Sequence, residues 1–394
     1  MHHNPAEVSI ALGDDFPEIR DSIRKICGAF PGSYWRELDE KEGYPHAFVQ
    51  ALTQAGYLAA LIPEAYGGAQ LPLRAAGVVL EEIHASGANA AAVHAQMYTM
   101  GTLLRHGSTA QKEKYLPAIA QGELRLQAFG VTEPTTGTDT TKLKTRAVRD
   151  GDHYVIHGQK IWTSRALFSD LMLLLVRTTP LEQVTKKTDG LSVFLVDMRE
   201  AVGHGMTIRP IKAMINHNTT EVFYDGLRVP VANLIGEEGK GFRYILDGMN
   251  AERILVSHES IGDAKWFIRT ATQYANERIV FDRPIGMNQG IQFPIAKAYA
   301  ASQAAELMLR KAAALFEAGH PCGEEANLSK LLSAEAAWEA GEACVQTHGG
   351  FAYACEYDVE RKWREARVQR TAPISTNLIL AYIAEHVIGL PRSY

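Results

Sequence analysis

Ala128–Asp139 reads AFGVTEPTTGTD and His157–Arg165 reads HGQKIWTSR. The chain between them contains Asp150-Gly151, a pair typical of the two-residue turn of a β-hairpin, because that turn needs positive φ angles. Apolar and polar residues alternate on both sides of the pair, which is the period of a half-buried strand. The stretch therefore predicts β-strands that place two loops side by side.

The two loops combine hydroxyl groups, a glycine and an indole. Thr132, Thr138 and Ser164 offer hydroxyls, and Gly137 allows a ligand to approach the backbone closely. Trp162 offers a flat apolar face. This combination suits a planar heteroaromatic ring with a diphosphate tail. The residues alone leave one alternative open, which is a polar turn followed by a buried strand tryptophan.

The pattern T-E-P-x-x-G-[ST]-D followed by G-x-K-x-W-x-[ST] resembles that of the acyl-CoA dehydrogenase family, whose members use FAD. The resemblance continues over nearly the whole chain. It implies one FAD per subunit at these loops. The contacts that we expect from the same chain are those of Phe129, Val131, Thr132, Gly137, Thr138, Trp162 and Ser164.

The composition is that of an ordinary globular protein. The chain has 394 residues, of which 46% are hydrophobic and 22% charged, and a net charge of −5 gives no indication of nucleic-acid binding. No apolar run approaches the roughly 18 residues of a membrane span, so we expect no membrane insertion. The four cysteines form no C-x-x-C pair, and Met1–Pro5 lacks the features of a signal peptide. These observations predict a cytoplasmic protein with reduced thiols.

The hydrophobic period divides the chain into three segments. Residues 1–123 read as an N-terminal helical domain, residues 124–236 as a middle β domain of the barrel or sandwich type, and residues 237–394 as a C-terminal four-helix bundle. The predicted fold is mainly α with a central β domain, in the order found in the acyl-CoA dehydrogenase family. Its buried strands and long helices are predicted at 171–176, 191–196, 240–280, 288–318, 324–348 and 357–389.

Two further motifs lie in the helical C-terminal segment. Ala275–Ile285 reads ANERIVFDRPI, which resembles the family's A-x-x-R-x-x-F-G-x-P-I with Asp282 in place of glycine, and Gln346–Ala352 resembles Q-x-x-G-G-x-G without its last glycine. The resemblance implies that these motifs reach the FAD of a neighbouring subunit, where an arginine would pair with the diphosphate. Without the resemblance, a surface ion pair of that arginine with Glu277 or Asp282 remains an alternative. The expected contacts are those of Arg278, Phe281, Gln289, Gln346, Gly349 and Gly350.

The family reaction is α,β-dehydrogenation of an acyl-CoA, and it needs a carboxylate base. Most members carry this glutamate in a C-terminal Y-E-G-T sequence. The equivalent segment here, Arg370–Asn377, reads RTAPISTN and contains no carboxylate, with Pro373 at the glutamate position. Isovaleryl-CoA and long-chain acyl-CoA dehydrogenases instead use an E-R pair on an earlier helix. The matching residues predict Glu252 as the base and Arg253 as its positioning partner.

Pro373 has a second consequence. In the family, the backbone N–H at the Y-E-G-T glutamate helps to polarise the thioester carbonyl, and proline has no N–H. Either Ile374 supplies this donor after a small shift, or that half of the oxyanion hole is lost. In the same segment, Ser375 and Asn377 complete the predicted cofactor contacts.

The sequence gives little support for a metal site. His153 and His157 are four residues apart, but on a strand they would be about 13 Å apart, too far to share one ion. We therefore expect no metal. The Gly236–Gly241 segment is read as a hinge into a helix rather than as a phosphate-binding loop, because no Ser or Thr follows its lysine.

The resemblance implies an enzyme of fatty acid β-oxidation that converts a saturated acyl-CoA to the 2-enoyl-CoA. FAD is the cofactor implied by the resemblance, electron-transferring flavoprotein the electron acceptor, and a homotetramer the assembly. The nearest alternative is an oxygen-using flavoenzyme of the same fold: an acyl-CoA oxidase, a nitroalkane-type oxidase or a flavin monooxygenase. A non-catalytic acyl-CoA-binding protein is the alternative of a different class.

Overall fold

The computed structural model describes residues 15–393. Contacts group them into two compact units. The terminal unit contains the described residues up to Glu40, Pro72–Ala90 and those from Asn250 onward; the central unit contains Lys41–Leu71 and Ala91–Met249. The three-domain boundaries at residues 123 and 236 follow chain order and stay a prediction. The localisation prediction from Met1–Pro5 concerns residues outside the described part.

Helices form the first and last thirds of the described chain, as predicted. Three of the four helices predicted in the last third are confirmed as α8, α9 and α10. Within residues 15–393, no helix combines the length and apolar composition needed to cross a membrane. The helices are α1 Pro17–Gly28, α2 Gly32–Glu40, α3 His46–Gln54, α4 Leu73–Ala85, α5 Ala91–His106, α6 Thr109–Gln121, α7 Met198–Ala201, α8 Gly241–Glu277, α9 Gln289–Glu317, α10 Gly323–His348, α11 Val359–Val368 and α12 Thr376–Tyr382.

The last predicted helix, 357–389, is wrong as one continuous element. The amides of Thr371 and Ala372 both donate to the carbonyl oxygen of Val368 at 2.8 Å, so the chain closes a turn and leaves the helix axis. Pro373 then offers no amide hydrogen with which to continue. The residues between α11 and α12 form a link, 369–375, which lies where the resemblance places the catalytic segment of the family.

The central β region is confirmed. Its strands are ordered β6-β7-β3-β2-β4-β5-β8, and β1 pairs in parallel with β4. A small hairpin of β9 and β10 follows α8 in the terminal unit. The strands are β1 Leu126–Gly130, β2 Arg146–Asp150, β3 His153–Ser164, β4 Leu171–Arg177, β5 Leu191–Asp197, β6 Met206–Pro210, β7 Thr219–Pro230, β8 Leu234–Ile235, β9 Ile279–Val280 and β10 Arg283–Pro284.

The predicted hairpin joins β2 and β3, with its turn one residue later than expected. Asp150 pairs with His153, so Gly151 and Asp152 form the turn, and Gly151 has a φ of 62°. The glycine therefore occupies a position where a side chain would be strained.

Strand β4 is buried along its whole length because the central unit packs apolar groups on both faces of the sheet. Leu173 belongs to a cluster with Leu116 of α6, whereas its neighbour Leu174 belongs to a second cluster with Ile156 of β3. A strand covered on both faces has no polar alternation, which explains the continuous apolar runs that predicted β4 and β5.

The terminal unit packs α8 against α10 through small residues, and it also buries charge. Phe267 lies in one cluster with Ala337 and Ala340. Glu81 accepts hydrogen bonds from Arg20 at 2.8 Å, from Lys265 at 2.8 Å and from His258 at 2.9 Å. Burial opposes the charged form of Glu81, but the Lys265 and Arg20 cations hold the pKa of its carboxyl well below the usual range.

Candidate functional site

The two loops quoted at the start of the sequence lie side by side, as predicted. The amide of Ile161 donates to the carbonyl oxygen of Thr132 at 2.9 Å. The Lys160 ammonium donates to the carbonyl oxygen of Val131 at 2.9 Å and to Glu133 Oε1 at 2.9 Å. The T-E-P loop is thereby fixed against the strand that carries Trp162.

Three donors hold the Glu133 carboxylate. Besides Lys160, the amides of Lys144 and Thr145 donate to its carboxylate at 2.6 and 2.8 Å. Burial opposes the charged form, but Lys160 and these hydrogen bonds lower the pKa of the Glu133 carboxyl. Burial also lowers the pKa of Lys160 to about 8, although the Glu133 carboxylate favours the charged form of the lysine. The predicted site thus rests on a buried ion pair that is fully hydrogen-bonded on its acidic side.

Trp162 stands out of the sheet because β3 contains a bulge. Lys160 pairs with Val222 and Thr163 with Thr220, so β3 has one residue more than β7 over this interval. Trp162 lies in this bulge with a φ of 60°, and it is 58% exposed. The alternative of a buried strand tryptophan is therefore wrong, and the indole is available to a ligand.

The other residues of these loops fit a large planar ligand. Thr132 and Ser164 are half-buried, and Thr138 is exposed. A Cβ at Gly137 would meet no atom within 4 Å, so the chain's own packing does not require glycine there. The ring of Phe129 makes an edge contact with Tyr98, at a centroid distance of 5.7 Å. Open backbone beside an exposed indole and hydroxyls is the chemistry that a flavin dinucleotide needs.

The two C-terminal motifs meet on the surface of the terminal unit. The Arg278 guanidinium lies 5.5 Å from the ring centroid of Phe351, at a cation–π distance. Phe281, in the β9–β10 turn, is 94% exposed and has a φ of 52°. Gly349 and Gly350 have no neighbour within 4 Å of an added Cβ. Gln289 and Gln346 are exposed.

Arg278 does not form the surface ion pair that the residues alone left open. Within residues 15–393, neither Glu277 nor Asp282 lies within 4 Å of its guanidinium. Its charge is free to meet an anion from outside the chain.

The predicted catalytic pair lies on α8. Glu252 is 6% exposed, and Arg253 is half-buried, with its Nη1 donating to Asn250 Oδ1 at 2.9 Å. Burial lowers the pKa of Arg253, although Glu252 favours its charged form. A carboxylate at this depth is a candidate for proton transfer rather than a solvated carboxylate of the first helical turns.

Lys330, which the sequence analysis did not identify, interacts electrostatically with Glu252 and Arg253. It is 1% exposed on α10, and its ammonium donates to the carbonyl oxygen of Ile374 at 2.7 Å. Ser375 accepts a hydrogen bond from the Leu378 amide and so caps α12, and Asn377 is exposed. Lys330 follows Ala326 and precedes Ala334 and Ala337 on a buried helix face, and this spacing could have identified it as a buried charge.

Within the described chain, no three residues among His, Cys, Asp and Glu are grouped so that they could hold a metal ion. The two histidines considered from the sequence have separate partners. His153 contacts Asp152, and His157 accepts from the Gly226 amide at 3.2 Å.

Comparison with known proteins agrees with these motifs. Residues 14–123, 128–227 and 239–388 match the sequence models described as the N-terminal, middle and C-terminal domains of acyl-CoA dehydrogenase. "Acyl-CoA dehydrogenase FadE12" of Mycobacterium tuberculosis H37Rv is 32% identical over 385 residues, which are 96% of this chain and 98% of the relative.

Two solved structures have the same fold. The chain superposes on the "glutaryl-coenzyme A dehydrogenase glutaryl-CoA complex" with a TM-score of 0.88 and 27% identity, covering 100% of this chain and 98% of that one. The second is a chain from the work on "Electron transferring flavoprotein of Acidaminococcus fermentans". It superposes with a TM-score of 0.89 and 27% identity, covering 98% of this chain and 100% of that one. By its motifs, its fold and these relatives, the chain belongs to the acyl-CoA dehydrogenase family of flavoprotein oxidoreductases.

Proposed function

We propose that this chain uses FAD to convert a saturated acyl-CoA to the trans-2-enoyl-CoA and passes the electrons to electron-transferring flavoprotein. Acyl-CoA dehydrogenation is the activity of the family. The observation that carries the proposal for this chain is the buried Glu252 on α8, together with the absence of any carboxylate from Arg370–Asn377. The chain therefore has one candidate base, at the position used by the branched-chain and long-chain members.

The proposed chemistry begins at the α carbon of the thioester. Glu252 removes a proton from this carbon, so that a C–H bond breaks and an O–H bond forms on the carboxylate. The electron pair released at the α carbon forms the double bond to the β carbon. When bound, FAD supplies the acceptor for the hydride that leaves the β carbon. Arg253 holds the adjacent turn of α8 through Asn250 and keeps a positive charge beside the base.

The same chain would hold the flavin between the T-E-P loop and the bulge at Trp162. The exposed indole, the hydroxyls of Thr132 and Ser164, and the open backbone at Gly137 support this assignment. Phe129, Val131 and Thr138 complete this half of the proposed site.

A neighbouring subunit would supply the other half. Arg278, which has no carboxylate partner in the part of the chain that the structure describes, would pair with the diphosphate, and the almost fully exposed Phe281 would be covered by the partner. Gln289, Gln346, Gly349, Gly350, Ser375 and Asn377 are the remaining proposed contacts. A site of this kind requires at least a dimer, and the family resemblance favours a homotetramer.

The proposed acceptor and compartment rest on separate arguments. Electron-transferring flavoprotein is the partner implied by the family, and one structural neighbour comes from work on such a protein. All four cysteines are free thiols, which suits the reducing cytoplasm.

A flavin-bleaching experiment tests the proposal. The purified protein should be yellow, and anaerobic addition of acyl-CoAs from four to sixteen carbons, straight and branched, should bleach the flavin absorbance for a subset that defines the substrate. Electron-transferring flavoprotein should restore the colour much faster than air. Rapid restoration by air would point instead to an oxygen-using enzyme, and a protein that binds acyl-CoA without bleaching would overturn the proposed reaction.

A further inference from the structure

Lys330 is a buried cation that forms no ion pair with a carboxylate in the described part of the chain. It is 1% exposed, and its neighbours on the inner face of α10 are small residues such as Ser329, Ser333 and Ala334. Within residues 15–393, no carboxylate lies within 4 Å of its ammonium group. Burying a charge is costly unless it is paired and hydrogen-bonded, so a lysine at this position indicates a role that an apolar methionine of similar length could not fill.

The one hydrogen-bond acceptor of the ammonium is the carbonyl oxygen of Ile374, at 2.7 Å. Ile374 lies in the link 369–375 between α11 and α12. The link has a second attachment to α10 at the surface, where Arg370 donates to Glu335 at 3.0 Å. The buried attachment therefore fixes the middle of the link, and the surface one fixes its beginning.

This attachment determines the direction of one peptide group. In a trans peptide, the C=O of one residue and the N–H of the next point in opposite directions. The carbonyl of Ile374 points at Lys330, so the N–H of Ser375 points away from α10. In the described chain this N–H has no acceptor. Among residues 15–393 the N–H of Ile374 has no acceptor either, and no donor contacts the Pro373 carbonyl, so no hydrogen bond sets the direction of that peptide group.

The N–H of Ser375 lies two residues after Pro373, which has no N–H of its own. We propose that Lys330 is a positioning residue that fixes the Ile374–Ser375 peptide, and that the Ser375 N–H donates to the thioester carbonyl in place of the donor missing at Pro373. This inference rests on the proposed function, because it assumes a thioester substrate. It assigns a role to a buried lysine and to a backbone amide, not to the Ser375 hydroxyl, which caps α12.

The electrostatic surroundings make the arrangement sensitive to pH. Burial lowers the pKa of Lys330 to about 8; Glu335 favours the ammonium, Arg253 and Arg370 oppose it, and Glu252 favours it. The ammonium that donates to Ile374 therefore predominates below about pH 8 and is replaced by the neutral amine as the pH rises above it. The donor should lose its fixed direction as the pH rises through this value.

The test compares two ligands that differ only in the thioester carbonyl. The probes are the best acyl-CoA substrate and the S-alkyl-CoA thioether of the same chain length, which lacks the carbonyl. Lys330→Met and Ser375→Pro should each reduce the preference for the thioester about tenfold, the value of one hydrogen bond, and leave thioether binding unchanged. The φ of −66° at Ser375 suits proline, so Ser375→Pro removes the N–H with little backbone strain.

Matched variants complete the design. Ser375→Ala loses the same hydroxyl, which is also a proposed FAD contact, but keeps the N–H; compared at saturating FAD, it should keep the thioester preference that Ser375→Pro loses. Lys330→Arg should keep the thioester preference above pH 8, where the wild-type protein should lose this preference. Lys311→Met, which removes an exposed lysine of the same unit, should change nothing. The rate of flavin reduction should fall about 100-fold in Lys330→Met and Ser375→Pro.

Three results would overturn the inference. Lys330→Met could weaken both ligands equally, which would indicate a merely structural lysine. It could leave the thioester preference intact, or Ser375→Ala could lose as much preference as Ser375→Pro. The proposed function fails separately, if the wild-type protein is bleached by no acyl-CoA.

Discussion

The ammonium nitrogen of Lys160 lies 2.9 Å from Oε1 of Glu133, and the two side chains are 0% and 5% exposed. This pair joins the T-E-P loop to the strand that carries Trp162. Breaking a buried ion pair from one side leaves the other charge without compensation. The geometry of the proposed flavin site therefore depends in part on a buried ion pair that a ligand does not need to contact.

Lys160→Met should destabilise the central unit and weaken FAD binding together. We expect the free energy of unfolding to fall by about 3 kcal/mol, because the Glu133 carboxylate stays buried without its cation. Urea unfolding and a flavin fluorescence titration measure the two effects. Lys144→Met is the control, because only the backbone amide of Lys144 contacts Glu133 and its side chain is exposed. Equal behaviour of the two variants would contradict the prediction.

The same lysine predicts a dependence of stability on pH. Its pKa is about 8 in the folded chain and near 10.5 when unfolded. Between these values the unfolded chain binds a proton that the folded chain does not, so this group makes the free energy of unfolding rise with pH. The difference between the wild-type protein and Lys160→Met should grow by about 1.4 kcal/mol per pH unit in this window. Other titrating groups cancel in the comparison, and a constant difference would show that Lys160 keeps its ordinary pKa.

Glu252→Gln keeps the shape of the proposed base and removes its function. We expect FAD and acyl-CoA binding to persist, while the rate of flavin reduction falls on the order of 1000-fold. Stopped-flow bleaching measures the rate, and the flavin spectrum reports binding. Glu339→Gln, at an exposed position on α10, is the control. A rate within a few-fold of wild type would remove Glu252 from the mechanism.

Arg278→Gln should reduce FAD affinity, because the diphosphate would lose a charge-assisted hydrogen bond. Arg283→Gln is the matched control in the same hairpin, since Arg283 already donates to Asn288. Flavin content after gel filtration measures the effect.

A mixing experiment then tests whether subunits share the site. Co-expressed Arg278→Gln and Trp162→Ala chains should recover part of the FAD binding, because a shared site can combine the two intact halves. Recovery would fail if each chain completed its own site.

Much of the fold was predictable because buried positions recur along the sequence with the period of a helix or a strand. The apolar runs of β4 and β5 indicated strands covered on both faces, and the long helices α8 to α10 followed from their period. The break at 369–375 was missed because the sequence on both sides remains compatible with a helix. Only Pro373 marks it locally, and two hydrogen bonds to Val368 complete it.

Site residues that belong to a family motif could be predicted from the sequence. Residues whose role depends on contacts with distant parts of the chain could not. The exposure of Trp162 depends on the register of β3 against β7, which the sequence of β3 alone does not contain. Lys330 was missed because an isolated lysine in a helix is usually a solvated residue. Its burial depends on α8 and on the link, which are distant in the chain.

The terminal unit is built from three segments that are far apart in the chain, so these segments are synthesised at different times. Helix α4 leaves the ribosome before any strand of the sheet, whereas α8, which supplies His258 and Lys265 to Glu81, is complete only after Glu277. At about 5–20 residues per second, α4 waits roughly 10–40 s for these partners. During that time α1 is already present, but the face of α4 that α8 covers has no native neighbour, so newly made chains should depend on chaperones until α8 has emerged.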